Sequence, residues 1–379
     1  MAEHSRIPPS SAHIWGSPNG CPGWVAANIA YPETEEGEEA REGTAAHELG
    51  EGMIRDQTTF FREFAVGTSA SNGVVITDDI YESAVIYAKD VLEVVAKTGL
   101  EPQVENRVHA PQIHAESWGT PDTYLAPVSR LIIWDFKHGH EKVEAFENWQ
   151  AINYFHGIIN ELGMAPDATA RLEVEIRIVQ PRVYHRDGVI RTWKTTGANL
   201  LALGEHLKRG AAAGLSDNPP TLSGPYCKHC PGRHACSAAL EGGVALYEAA
   251  SHWLPAELSP QALGAQLSIV KRARKQLEYL ESGYEAQVNS LVRSGTMIPG
   301  WTVEPKYGQE KWDKPIDEVI QLGDILRHDL RKPPQAITPN AARKLGIDES
   351  VITAYSSKRR DGIVVVPDNG DKAREIFEK

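Results

Sequence analysis

With 379 residues, 41% hydrophobic and 24% charged, the chain carries enough apolar material for a core domain plus an accessory region, in the proportions of an ordinary soluble globular protein. Its net charge of −12 argues mildly against a nucleic-acid partner, since phosphate binding draws on Lys and Arg, so the placement of charge matters more than its sum. No apolar signal-peptide core follows Met1-Ala-Glu-His-Ser-Arg, and no run could span a bilayer; a cytoplasmic protein is expected, whose four cysteines are metal ligands or free thiols rather than disulfides.

Residues 1–39 read as an irregular, Pro- and Glu-rich entry segment, and residues 31–51 hold eight Glu against one Arg. Residues 38–54 favour helix and contain His47. Residues 79–97 place Ile80, Ala84, Tyr87, Val91 and Val94 at helical spacing, the mark of an amphipathic helix. The period then changes: 103–108, 119–125 and 130–137 are short β-prone runs, the last two separated by the turn Ala126-Pro127-Val128-Ser129. Helix returns over 148–162. Residues 172–180 alternate as a half-buried strand should, and 189–195 can pair with them across Arg186-Asp187-Gly188. A further helix covers 199–213. This order predicts an α/β domain on a small mixed central sheet flanked by helices, ending near residue 240.

Beyond it the pattern differs. Residues 261–293 read as one long helix with Leu263, Val270, Leu277, Tyr284 and Leu291 seven apart, a spacing that predicts a packing face against the body of the protein or a partner chain. Residues 301–312 suit a hairpin, and the tail from 333 is rich in Pro and charge. Basic clusters stand at Lys271-Arg272-Ala273-Arg274-Lys275 and Lys358-Arg359-Arg360, and 171–210 hold eight Lys or Arg against four acids. Each cluster alone reads first as a solvated face.

The chemistry centres on Gly119-Thr120-Pro121-Asp122 and Asp135-Phe136-Lys137. Asp135 and Lys137 lie two apart on a strand and so share a face; if the strand begun by Asp122 is its neighbour, two carboxylates and an ammonium converge. Asp oxygens suit Mg²⁺ or Mn²⁺, which polarises a scissile phosphate. Lys137 can stabilise the same developing charge or help deprotonate the attacking water, and the Phe136 carbonyl is a further candidate oxygen ligand. A D-x-K triplet alone carries no weight, because most such triplets are surface ion pairs. The weight comes from the apolar strand Leu131-Ile132-Ile133-Trp134 leading into it and from a Pro-Asp 13 residues earlier.

In this setting the chain resembles the RecB-like branch of the PD-(D/E)XK nucleases. That branch carries a helix-borne His, a G-x-x-D strand, a D-x-K strand and a Q-x-x-x-Y helix. These stand here, in that order, as Gly43-Thr44-Ala45-Ala46-His47, Gly119 to Asp122, Asp135 to Lys137, and Gln150-Ala151-Ile152-Asn153-Tyr154. The resemblance covers about residues 13–240. It implies a restriction-endonuclease-like core and a metal held by His47, Asp122, Asp135 and the Phe136 carbonyl. Lys137 is then catalytic, and Gln150 and Tyr154 face the DNA backbone. Glu48 and Glu105 are nearby acids of secondary interest.

Cys227-x2-Cys230-x5-Cys236 forms a tight trio, with Cys21 lying 206 residues upstream. Structural zinc usually takes two short knuckles, so one-plus-three favours a [4Fe–4S] cluster, with zinc next. The arrangement also resembles the iron–sulfur nucleases of this branch, such as AddB and the CRISPR-associated RecB-like enzymes, where the cluster would staple the two ends of the domain. His229 and His234 are expected to face solvent rather than to bind metal.

No G-x-x-x-x-G-K-[ST], G-x-S-x-G or H-E-x-x-H occurs, so no helicase motor is expected. The resemblance therefore implies a stand-alone phage-type DNA exonuclease that prepares linear ends for recombination. A single-strand annealing protein is a candidate partner and a homo-oligomer a candidate assembly. A structure-specific endonuclease and a non-catalytic DNA-binding protein are the rival readings. The expected organisation is a nuclease domain over 1–240 and an accessory region over 241–379.

Overall fold

The computed structural model describes residues 5–32, 37–251 and 258–301, together with 303, 318, 320, 321, 324, 325 and 350. Most of the hairpin expected at 301–312, the tail from 333 and the Lys358-Arg359-Arg360 cluster lie outside the described residues. The chain divides into two compact units, Met1–Val303 and Glu304–Lys379, and every element named here belongs to the first.

The helices are α1 (Ala12–Trp15), α2 (Trp24–Ala30), α3 (Glu38–Arg55), α4 (Arg62–Ala65), α5 (Asp78–Thr98), α6 (Trp149–Glu161), α7 (Pro166–Ala170), α8 (Gly197–Gly214), α9 (Ser237–Ser251) and α10 (Pro260–Arg293). The strands are β1 (Gln103–Val104), β2 (Val108–His109), β3 (Trp118–Gly119), β4 (Thr123–Leu125), β5 (Arg130–Phe136), β6 (Glu173–Val179) and β7 (Ile190–Thr196). Their ends carry recognisable chemistry. The Thr77 hydroxyl accepts from the Ile80 N–H at 3.3 Å to start α5, which stops at Gly99 with φ +67°. Asn148 caps α6 and Thr196 caps α8 in the same way.

One five-stranded mixed sheet runs in the order β1-β4-β5-β6-β7; only β5 and β6 are parallel, and the crossover between them carries α6 and α7. Strands β2 and β3 form a separate pair. Alternation along β5 divides the core. Leu131 and Ile133 face α1, α6 and α8, with Trp15, Ile152, Phe155 and Leu207. Ile132, Trp134 and Phe136 face α3 and α5, with Met53, Ile54, Tyr87 and Val91. Helices thus cover both faces of the sheet, which explains why β5 is buried almost end to end.

Four details differ from the sequence reading. The entry segment is not irregular: it holds α1 and α2, and Ile7, Trp15, Trp24 and Val25 enter the core. The runs 103–108 and 119–125 each break into two strands. Glu105, at φ +52°, interrupts the first, and Pro121, which has no N–H to give a ladder, the second. Strand β6 is buried on both faces rather than one, being an inner strand. The heptad residues Leu263, Val270, Leu277 and Tyr284 of α10 are each about half exposed; the buried face is Ala273, Gln276, Leu280 and Gly283, packed on α9 and on Arg233. Small residues let α10 approach closely, and within this chain the seven-residue stripe is not the face packed on the body. No helix among the described residues is long and apolar enough to cross a membrane.

Candidate active site

The register Thr123↔Trp134 sets Asp122 beside Asp135 at the end of β5, as adjacency of the two strands requires. Asp122 Oδ2 accepts from the Phe136 N–H at 2.6 Å, which fixes the carboxylate against the strand. Asp135 is fully buried; its Oδ1 accepts from Lys137 Nζ at 2.9 Å, and its Oδ2 has no partner among the described residues. Lys137 also donates to Gln150 Oε1 at 3.1 Å, and Gln150 Nε2 to the Tyr154 hydroxyl at 3.1 Å. The i, i+4 spacing on α6 therefore continues the strand's polar face as one line of hydrogen bonds.

His47 approaches from the other layer. It sits on α3 with its ring 5.1 Å from that of Phe136, which in turn stacks on Tyr87 at 4.8 Å. Its Nδ1 lies 3.7 Å from Asp122 Oδ1. The donor atoms of His47, Asp122 and Glu105 fall within 4.8 Å of one another, and no other group of three or more His, Cys, Asp or Glu among the described residues is so close. Glu105 is placed by its positive φ and by its N–H, which donates to the Asp122 carbonyl at 3.1 Å.

Glu51, one turn after His47, lines the same cavity as Glu105 and Asp122 and closes the cluster. Burial, then the charges of Asp122 and Glu51, push the Glu105 carboxyl up to about 9. Burial likewise raises Asp135, against the opposing pull of Lys137. Burial works against the Lys137 charge, but Asp135 and Asp122 outweigh it and hold the ammonium above its usual range.

Two cavities meet at Lys137. One, of about 760 Å³, contains His47, Glu51, Glu105 and Asp122; the other, of about 850 Å³, contains His13, Trp149, Gln150 and His229. His138 lines the first; it is buried, neither ring nitrogen has a partner among the described residues, and burial with the nearby Arg182 lowers it to about 4.

The structure thus brings His47, Asp122, Asp135, Lys137 and Gln150 together. Tyr154 departs from its expected position: it is only 6% exposed and touches the site through Gln150. Glu48 lines the same cavity as His47 and accepts from the Ser71 N–H and hydroxyl at 2.9 and 2.6 Å. Sequence reasoning missed Glu51 and His138. The first could have been found four residues after His47 on a helix; the second gave no signal beyond following Lys137.

The four cysteines line a separate, tight cavity of about 20 Å³. Cys21 and Cys227 are buried, and their sulfurs accept from the Leu222 and Gly224 N–H groups at 3.3 and 3.4 Å. Burial, with the neighbouring thiols, pushes Cys230 up to about 11. His229 is half exposed and pairs with Glu141 at 3.2 Å, away from the sulfurs.

A family described as a protein of unknown function (DUF2800) matches residues 4–327. The chain belongs to this family. The matched stretch takes in every residue of the His47–Tyr154 cluster and all four cysteines.

Proposed function

We propose that this chain is a metal-dependent DNA exonuclease with a RecB-like PD-(D/E)XK core. One observation carries the reading: residues from four separate segments, His47, Asp122, Asp135 with Lys137, and Gln150, converge at one end of β5. Structural ion pairs rarely need two acids and a histidine beside a buried, unpartnered carboxylate oxygen.

The donors fit Mg²⁺ or Mn²⁺: carboxylate oxygens of Asp122 and Glu105 with His47, and Asp135 on the buried side. A cation there relieves the repulsion among Glu51, Glu105 and Asp122 and, when bound, polarises the scissile phosphate. Lys137, held protonated by its carboxylate neighbours, supplies positive charge to the phosphate rather than accepting a proton from water. Gln150 fixes the ammonium, and Tyr154 fixes Gln150.

The cysteines support an iron–sulfur cluster on Cys21, Cys227, Cys230 and Cys236. A single zinc with Zn–S near 2.3 Å holds its sulfurs about 3.8 Å apart. No three of these sulfurs lie within 4.8 Å of one another, wider than a single zinc would hold them. The amides aimed at Cys21 and Cys227 suit thiolate ligands.

Purified protein should degrade linear DNA only with Mg²⁺ or Mn²⁺. Asp135→Ala and Lys137→Ala should each remove this activity while leaving the circular dichroism spectrum intact. Undiminished digestion by either variant would sink the assignment, and equal digestion of closed circular DNA would replace exonuclease by endonuclease. Anaerobically purified protein should be brown and carry stoichiometric iron and sulfide; colourless, zinc-loaded protein would remove the cluster.

A further inference from the structure

The basic run on α10 has no part in the site above, yet the fold gives it a partner. Gly224 and Pro225, on the approach to Cys227, form one wall of a cavity of about 420 Å³; Lys271, Arg272 and Lys275 of α10 form the other. No Asp or Glu lines this cavity, whereas the two cavities that meet at Lys137 are each lined by several acids. In a chain of net charge −12 that is a local reversal of sign.

The helix that carries these cations is also held in place. Ala273 and Gln276 are buried beneath them, and Gln276 Nε2 donates to the Ala239 carbonyl of α9 at 3.4 Å, so the helix face is anchored. Lys271 and Lys275 stand four apart and so lie on one face of α10, with Arg272 beside them at the cavity wall. Arg272 and Lys275 have no acidic partner among the described residues. Arg274, between them, differs: it pairs with Glu278 at 2.8 Å and does not line the cavity.

We propose that this cavity seats the phosphate backbone of a DNA strand, a second anchorage separate from the metal-binding cluster. The choice of occupant rests on the nuclease reading; the charge complementarity does not. Loss of one phosphate contact to single-stranded DNA lowers the slope of log affinity against log salt by about 0.7.

The test uses the full chain carrying Asp135→Ala to stop digestion. Binding of a fluorescein-labelled oligo-dT is followed by anisotropy across a salt series. Arg272→Ala and Lys275→Ala should each reduce the slope by about 0.7 and weaken binding several-fold, more so at low salt. Arg272→Lys should restore the slope, and Arg274→Ala should leave it unchanged. Parent-like slopes in the two Ala variants would overturn the proposal, as would an equal effect of Arg274→Ala, which would reduce it to net charge. Absence of oligo-dT binding by the parent would overturn it too. Digestion by the Asp135-intact chain is scored separately. If no DNA is cleaved but the slope changes hold, the nuclease reading falls and the anion site stands.

Discussion

Polar side chains in and around this core fall into those whose partners are complete and those whose partners are not. Asp90 is complete: it accepts from Trp134 Nε1 at 2.7 Å and from Arg177 at 2.8 Å, and pins α5 to the sheet. Asp135 is incomplete, and it stands at the centre of the proposed site. His156 is an intermediate case, buried in α6 with only the Leu200 carbonyl at 3.2 Å from its Nε2, and burial lowers it to about 4. Below its usual value near 6.5 the unfolded chain takes up this proton and the folded chain does not. Its penalty is therefore absent above about pH 6.5 and grows as pH falls toward 4, reaching about 2 kcal/mol at pH 5. Urea unfolding at pH 7.5 and pH 5 should show His156→Met losing less stability on acidification than the parent does, by about that amount. Equal losses in the two proteins would show that another group, such as His138, carries the acid sensitivity.

Among the elements, close approach decides which helices can meet. At the crossing of α6 and α8, a Cβ on Gly204 would lie 2.0 Å from His156 Nε2. Alanine gains about 1 kcal/mol of helix propensity over glycine there, but overpacking a dense core costs about 1–3 kcal/mol, so the clash wins. Gly204→Ala should therefore lower the urea midpoint. Gly264→Ala on α10, where nothing lies within 4 Å of the added carbon, should raise the midpoint, with a gain in stability of up to about 1 kcal/mol. A stabilised Gly204→Ala would refute the crossing geometry.

The glycine of the G-x-x-D motif follows the same rule. A Cβ on Gly119 would reach 2.4 Å from the Pro9 ring and 2.9 Å from the Tyr154 ring, so this glycine lets both side chains approach the strand. Such tertiary demands explain what could be read in advance. Helices α5, α6 and α8 and strands β5 to β7 were legible because period and capping are local signals. The ordered helix turns before residue 32 were not, since Trp15 and Trp24 gain their burial from distant residues. The buried face of α10 gives no strong apolar signal for the same reason: it mixes Ala273, Gln276, Leu280 and Gly283. In the site, motif order located His47, Asp122, Asp135, Lys137 and Gln150, whereas Glu51 and Glu105 meet only through the fold.

Across the whole unit, the cysteine cavity joins segments that are 206 residues apart in sequence. The Cys21 neighbourhood is already tied to the other segment by the Gly23 N–H, which donates to the Pro220 carbonyl at 2.9 Å. The later segment reaches the site loop through Lys228, whose Nζ lies 2.9 Å from Glu141 Oε2. A cluster bound here would restrict a loop of some 200 residues in the unfolded chain and add to these weak ties a cross-link of a few kcal/mol. At about 2–4 °C per kcal/mol, its loss should lower the thermal midpoint by roughly 10 °C. Cys21→Ser should therefore melt early, and removal of iron with a chelator should bring the parent down to the same midpoint while leaving Cys21→Ser unmoved. The core contacts of Trp15 and Trp24 remain in both, so the far-ultraviolet spectrum at low temperature should not change. A parent whose midpoint ignores the chelator would show that hydrogen bonds and apolar packing alone close this end of the domain.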